Sequence, residues 1–248
     1  MPTIAQRVAN TRRATLQSLI LADAPSWYSC MSGRGTVLDL SPNRNHGTIT
    51  LGTGTPSVLP LNHGGDGALS FDGVTTVVAV TDAAPLTNIW DAGGPLFALL
   101  SPTAAAFKRL YVKEAASLTD LRSAVGNYCV LAVQVGFSVT SGLWVTGTVF
   151  PIVNTSAIGI TYNADDVAND PTVYFMDFAT GGFQVLTVGA GLTEAATPVG
   201  VRNTDAAANL AIGHNGYAGV IDEFAIWKGR IITRQRMQAY MQAALGMA

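Results

Sequence analysis

One stretch near the end of the chain carries the strongest structural signal: Gly219-Val220-Ile221-Asp222-Glu223-Phe224-Ala225-Ile226-Trp227. Branched and aromatic residues dominate it, and this composition is typical of a buried strand. Asp222 and Glu223 interrupt the apolar run. A buried carboxylate needs a compensating group, so we expect at least one of the two to meet a partner.

Short segments of the same kind recur about every ten residues between residues 26 and 228, separated by Gly, Asn, Asp and Pro. The predicted strands include Ala68–Phe71, Thr75–Val80, Asn127–Phe137, Leu143–Phe150, Ser156–Tyr162, Thr172–Phe178, Phe183–Val188, Leu210–Gly213 and Val220–Trp227. This spacing predicts an all-β sandwich or barrel. No charged residue occurs from Ser123 to Ala164, so we expect another element or subunit to cover that part of the surface.

Both ends of the chain favour helices. We therefore divide the chain into an N-terminal docking arm (1–25), a β body (26–228) and a C-terminal helix (229–248). The ends hold 7 of the 14 basic residues, and neither 1–22 nor 228–248 contains an acid. The arm either docks on a partner or folds back on its own body. The predicted docking residues are Ile4, Arg7, Val8, Arg12, Arg13, Leu16, Leu19, Arg234 and Arg236.

Three landmarks resemble the laminin-G-like, concanavalin A-like jelly-roll family. They are Trp27-Tyr28 with the turn Asp39 to Gly47, the run Gly64-Gly65-Asp66-Gly67-Ala68-Leu69-Ser70-Phe71-Asp72-Gly73, and Leu210-Ala211-Ile212-Gly213 followed by Gly219 to Trp227. Pro42 replaces the family's turn glycine, and residues 101–155 match poorly. The resemblance implies a concanavalin A-like jelly-roll sandwich with an N-terminal helical arm and a short C-terminal helix.

The same resemblance implies two kinds of site. Related domains hold calcium near the opening turn, and here Asp39, Asn43, Asn45 and Glu223 supply oxygens of the kind a hard cation binds. The alternative for these side chains is turn capping plus a buried hydrogen bond. Jelly rolls of this kind also bind glycans through rim aromatics, and Trp90, Trp144 and Tyr217 are the candidates. The alternative is that these three aromatics are core or interface residues.

Catalysis is not expected. Some glucanases of this fold use two glutamates in an E-x-D-x-x-E strand, but here the first glutamate of that pattern is absent before Asp222-Glu223. No G-x-S-x-G nucleophile motif occurs, and the glycine-rich stretch at 52–67 lacks the Lys-Ser/Thr pair of a phosphate loop. A glycoside hydrolase remains the second alternative, after a stand-alone carbohydrate-binding module.

The remaining features concern location and partners. The net charge of −2 argues against a nucleic-acid binder, and no apolar run is long enough for a membrane helix. The chain shows no export signal, whereas the family it resembles is usually extracellular. Tailed bacteriophages carry laminin-G-like domains as capsid decorations, head fibres and tail appendages. The resemblance thus implies a structural protein of a tailed-phage virion, made in the host cytoplasm. Its expected partners are other virion proteins, copies of itself and host glycans. Whether Cys30 and Cys129 pair stays open.

Overall fold

The computed structural model describes most of the two ends and the strands between them. The described residues are 4–31, 35–50, 58–59, 68–87, 94–102, 108–113, 118–122, 129–135, 139–145, 148–153, 156–157, 160–161, 172–177, 182–187, 191–196, 208–213, 217–230 and 232–245. Two helices, α1 (Ile4–Ala22) and α2 (Arg234–Leu245), flank a β body. Side-chain surroundings are described within 11–31, 35–50, 68–87, 96–99, 208–213, 217–230 and parts of 232–244.

The β body is built from short strands. In chain order they are β1 (Trp27–Cys30), β2 (Thr36–Val37), β3 (Gly47–Thr50), β4 (Val58–Leu59), β5 (Ala68–Asp72), β6 (Val77–Val80), β7 (Gly94–Pro102), β8 (Lys108–Lys113), β9 (Leu118–Arg122), β10 (Cys129–Val135), β11 (Val139–Val145), β12 (Thr148–Val153), β13 (Ser156–Ala157), β14 (Ile160–Thr161), β15 (Thr172–Asp177), β16 (Gly182–Thr187), β17 (Gly191–Ala196), β18 (Leu210–Ile212) and β19 (Ala218–Ile226).

These strands form two sheets. Sheet A runs β17-β16-β15-β10-β7-β19-β5-β4, with β1 also paired to β19. Sheet B runs β13-β12-β11-β9-β8-β18-β6-β3-β2, with β14 paired to β12. Most pairs are antiparallel, and the pairs β10 with β15 and β9 with β11 are parallel. The predicted all-β class with a helix at each end is confirmed.

The interior of the body lies where the two sheets meet. Gly213, which follows β18 in sheet B, adopts φ +79° and lies against the ring of Phe71 in β5 of sheet A. Phe71 also packs edge-on against Tyr217, with ring centroids 5.6 Å apart. A side chain at position 213 would collide with the ring and would also be strained by the backbone conformation, so glycine is required there.

One predicted strand is wrong. We expected a single strand over 143–150, whereas the structure has β11 and β12 as an antiparallel pair in which Val145 is opposite Thr148. The chain therefore reverses where we expected it to continue. None of the predicted strands corresponds to β7, β8, β9 or β17, although β7 borders β19 along nearly its whole length.

β19 has neighbouring strands of sheet A on both of its edges. β7 borders one edge, while β5 pairs with the first half of the other edge and β1 with the second half. All its residues from Gly219 to Ile226 are buried. Because successive side chains point to opposite faces of a strand, both faces of β19 must be covered.

The two helices cover the outer face of sheet A. Buried residues from helices and strands form one apolar cluster there: Leu16, Ile20, Tyr28, Phe97, Leu99, Ala225, Trp227, Ile232, Tyr240, Ala243 and Ala244. α2 packs against α1 and also touches β10. At the start of α2, the Arg236 backbone N–H donates to Thr233 Oγ1 at 3.3 Å, and this is a helix cap. The described part of α1 therefore lies on the chain's own body.

Candidate functional site

The opening turn, residues 39–47, is organised around the buried carboxylate of Asp39. Its oxygens accept backbone N–H groups from Tyr28 at 3.1 Å, Ser41 at 2.9 Å and Asn45 at 2.8 Å. Asp39 is fully buried. Because three donors converge on one carboxylate, the turn is held in place against β1.

The other polar side chains of this turn also bond to backbone. Asn43 Nδ2 donates to the Ser26 carbonyl at 2.9 Å, and Asn45 Nδ2 donates to the Thr81 carbonyl at 2.8 Å. The fourth predicted calcium ligand, Glu223, lies under α1 instead. Among the described residues, no cluster of three or more His, Cys, Asp or Glu is placed to hold a metal ion. The calcium site stays a prediction, and the structure shows these side chains bound within the fold.

The predicted glycan-binding aromatics fall in different settings. Tyr217 is only 1% exposed, packs on Phe71 and donates its hydroxyl to the Val220 carbonyl at 3.2 Å. It is therefore a core residue, and this placement removes it from the candidate glycan-binding surface. Trp90 lies outside the described residues. Trp144 lies on β11, but its side chain is outside the described set.

A buried ionic cluster lies between α1 and sheet A. We call it the latch cluster and define it as Arg13 of α1, Tyr28 and Cys30 of β1, and Asp222 and Glu223 of β19. Arg13 Nη2 donates to Asp222 Oδ1 at 3.0 Å, and Arg13 Nε lies 3.2 Å from Glu223 Oε1. The Tyr28 hydroxyl donates to Glu223 Oε2. The expected partner of the two carboxylates is thus a guanidinium more than 200 positions away in the sequence.

The strands place these groups by simple register. Tyr28 pairs with Ala225 and Cys30 pairs with Glu223 in the antiparallel β1–β19 ladder. The β19–β7 register shifts between Ile221 and Glu223, which marks an irregularity at the two acids. On α1, Arg13, Leu16 and Ile20 recur at the spacing of one helix face, so the guanidinium enters together with the apolar side chains.

Burial dominates the electrostatics of the latch cluster. It raises the pKa of Asp222 and of Glu223 above the ordinary carboxyl range, and the attraction of Arg13 opposes the rise in both. Burial and the neighbouring Glu223 also raise the pKa of the Cys30 thiol to about 12. A thiol with that pKa stays protonated near neutral pH and is a poor nucleophile.

This arrangement does not suit catalysis. The side chain of Glu223 is 1% exposed, that of Asp222 9% and that of Arg13 10%. A glycosidase needs two carboxyl groups that flank a bound sugar, with room for substrate between them. Here a guanidinium occupies the place between the carboxylates, and α1 covers it. The chemistry available to the cluster is therefore charge pairing and proton binding.

A second polar cluster joins the two helices. Arg236 Nε donates to Asp23 Oδ2 at 2.6 Å, and Arg236 Nη2 donates to the Leu19 carbonyl at 3.0 Å. The Tyr240 hydroxyl also donates to Asp23. Tyr240 stacks on Trp227, with centroids 5.8 Å apart and ring planes 8° apart. We call this group the helix junction: Asp23, Trp227, Arg236 and Tyr240.

The predicted docking residues are thus split. Arg13 and Leu16 are used inside the chain, Leu19 packs against the apolar cluster, and Arg236 pairs with Asp23. Arg12 is half-buried. The side chains of Ile4, Arg7, Val8 and Arg234 lie outside the described set. The structure supports the fold-back alternative for residues 11–22, and partner docking by the rest stays a prediction.

The outward face of α1 carries an open groove. It has a volume of about 560 Å³, and the described residues that line it are Thr11, Ala14, Thr15, Ser18 and Leu19. None of them is acidic, basic or histidine, so they supply no general acid or base. In the part of the chain that the structure describes, no helix is both long and apolar enough to cross a membrane.

Comparison with known proteins shows likeness at the level of the fold. No family model and no curated protein matches the chain. The binding domain of Paraclostridial mosquitocidal protein 1 is similar with a TM-score of 0.53 and 10% identity, over 90% of this chain and 52% of that one. A structure designated HCR/D-Sa-GBL1/C has a TM-score of 0.50, also at 10% identity and with the same two coverages.

A third neighbour is the binding domain of botulinum neurotoxin DC in complex with SialylT, at 10% identity over 90% of this chain and 52% of that chain. Its TM-score is 0.45. The chain spans about half the length of the solved structures it matches. At this identity the likeness establishes the fold alone. None of these three structures is named as a phage protein, so the phage origin stays a prediction.

Proposed function

We propose that this chain is a non-catalytic structural protein of a tailed-phage virion, a capsid decoration, head fibre or tail appendage, whose sandwich contacts host-surface glycans. Its partners are other virion proteins and further copies of the chain. The localisation proposed is the virion. A stand-alone carbohydrate-binding module is the alternative, because the same body would serve that role without an assembly.

The burial of Asp222 and Glu223 carries the non-catalytic part of the proposal. They are the acids nearest to a glucanase pattern, yet Arg13 pairs with both and α1 covers them. A substrate could reach them only if α1 left the sheet. The glycoside hydrolase alternative would therefore need an acidic pair other than Asp222 and Glu223.

The binding part rests on fold-level analogy. The neighbour with a TM-score of 0.53 is named as the binding domain of a mosquitocidal protein. Sandwiches present loops and rim residues on a rigid scaffold, and such surfaces suit recognition of external ligands. With Tyr217 in the core, the glycan contact is proposed for Trp90 and Trp144. Aromatic side chains stack on sugar rings through their apolar faces.

The assembly part rests on the ends of the chain. Because the inward face of α1 is already used, anchoring would fall to the remaining predicted residues, which are Ile4, Arg7, Val8, Arg12 and Arg234. The surface of the sandwich that faces away from these anchoring residues would then be displayed on the outside of the particle. The low charge and the uncharged stretch 123–164 fit a subunit whose surface is partly covered by neighbours.

Two measurements test the proposal. A glycan array with the full chain should show binding, and Trp144→Ala or Trp90→Ala should reduce it at least tenfold. Leu38→Ala, at an exposed apolar site outside the candidate set, should not. Antibodies against the chain should label intact particles in electron micrographs of a phage lysate. Sugar release from an array glycan would instead favour the hydrolase, and glycan binding without particle labelling would favour the stand-alone module.

A further inference from the structure

The latch cluster contains an imbalance of charge. Arg13 is the cation of the cluster, and it faces two carboxyl groups, Asp222 and Glu223. The other titratable groups, Tyr28 and Cys30, are neutral near pH 7, and burial raises their pKa values further above neutrality. The β7 residue in register with Glu223 is Leu99, which is apolar. With both carboxyls ionised, the cluster would hold one uncompensated negative charge.

Such a charge is costly where water is scarce. An unpaired ion in an apolar interior usually neutralises itself by binding or losing a proton. Two carboxyl groups that share one site resist ionising together, and the pKa of one of them rises strongly. One carboxylate, one carboxylic acid and one guanidinium would make the latch cluster neutral.

We propose that Asp222 and Glu223 share one proton while α1 is docked, so that docking of α1 takes up a proton from water and weakens as pH rises. When α1 leaves the sheet, the carboxyl groups meet water and return the proton to it. This coupling is independent of the virion role and of glycan binding. It makes α1 a pH-sensitive cover over the outer face of sheet A.

The direction of the pH effect follows from linkage. Burial raises the carboxyl pKa values in the folded chain above their ordinary range. A group of this kind stabilises the folded state fully below its ordinary pKa, and that contribution is lost as pH rises through the folded pKa. Docking of α1 on sheet A should therefore be more stable in mild acid and less stable in alkaline solution.

The test compares the full chain with Glu223→Gln. Glutamine is a neutral mimic of the protonated acid and can still accept the Tyr28 hydroxyl. The remaining Asp222–Arg13 pair is balanced, so the variant should take up no proton here. Between pH 6 and 8 the unfolding equilibrium constant of the full chain should rise by up to about tenfold per pH unit relative to the variant.

Asp23→Asn is the matched control, because Asp23 pairs one-to-one with Arg236 at the helix junction. It should weaken the fold without changing the pH slope. Infrared spectra at pH 7 should show a protonated carboxyl band in the full chain and in Asp23→Asn, but not in Glu223→Gln. If Glu223→Gln does not fold, Asp222→Asn replaces it. Equal pH slopes together with no protonated carboxyl band would overturn the proposal.

Discussion

Replacing Arg13 by Met should destabilise the chain by about 4 kcal/mol at pH 7. Methionine keeps a long apolar stem but removes the guanidinium that faces Asp222 at 3.0 Å and Glu223 at 3.2 Å. With one proton already shared, the variant has to protonate the second carboxyl as well. Raising the pKa of an aspartate from about 3.9 to above 7 costs about 4 kcal/mol, at 1.36 kcal/mol per unit.

The usual cost of breaking a buried ion pair is of similar size. Removing one partner of a buried ion pair costs about 3–5 kcal/mol, because the other charge stays buried. The side chains involved are at most 10% exposed, so screening by solvent reduces this figure little. A loss of this size is large against the total free energy of unfolding of an ordinary domain.

The loss of unfolding free energy caused by Arg13→Met should become smaller in acid. In the variant the carboxyl pKa is raised in the folded state, so its destabilising effect fades as pH falls towards the ordinary value. Two pH units correspond to about 2.7 kcal/mol, and the loss at pH 5 should therefore be only about 1.5 kcal/mol.

The assay is urea unfolding monitored by tryptophan fluorescence. The signal reports unfolding because Trp27 and Trp227 are fully buried in the folded chain. Arg12→Met is the matched control: the same change at the neighbouring position of α1, where the side chain is half-buried. It should cost under about 1 kcal/mol at both pH values. A loss below 1 kcal/mol for Arg13→Met, or one that does not change with pH, would refute the reasoning.

Three further changes test other parts of the account. Gly213→Ala should lower the free energy of unfolding, measured by thermal unfolding, by over about 3 kcal/mol, because the new methyl group would meet the Phe71 ring and φ is positive. Gly35→Ala is the control: φ is also positive there, but the space is open, so the loss should be only about 1–2 kcal/mol. Arg236→Met should cost about 1 kcal/mol, because Arg236 is one-third exposed and its pair with Asp23 is partly screened. Asp39→Ala should cost at least about 2 kcal/mol in urea unfolding, because three backbone donors lose their acceptor, and a neutral outcome would contradict the described turn.

The sequence predicted the class of fold well because β patterns are local. The runs around Ala68 and Leu210 alternate or cluster apolar residues between turn residues, and both form strands. The hairpin of β11 and β12 was missed for an equally local reason. Only Thr146 and Gly147 separate these strands in sequence, and β-branched residues flank them, so the run reads as continuous.

The latch cluster was predicted only in part. The apolar context of Asp222 and Glu223 required a partner, and the structure supplies one. Its identity was within reach, because Arg13 lies on the same helix face as Leu16 and Ile20. A cation on an apolar helix face and acids on an apolar strand are complementary. Nothing local, however, states which sheet face a helix will cover, because that is decided by packing of the whole domain.

Tyr217 was a candidate either for glycan binding or for the core, and the structure places it in the core. It follows Asn215-Gly216 in a polar, glycine-containing stretch, and an aromatic residue in that setting resembles a binding residue on a rim. In the structure its ring packs on Phe71 instead, and its hydroxyl finds a carbonyl of the next strand. Burial of a large amphipathic side chain depends on what lies opposite, and the sequence pattern does not contain that information.

Hydrogen exchange of the α1 backbone amides in the full chain, measured near pH 7, tests the central claim most directly. Residues 11–22 belong to the folded body through the latch cluster and the helix junction. Their amides should be protected nearly as strongly as those of β19, and Arg13→Met should lower this protection. Fast exchange across 11–22 in a chain whose β19 stays protected would show an undocked arm and contradict the account.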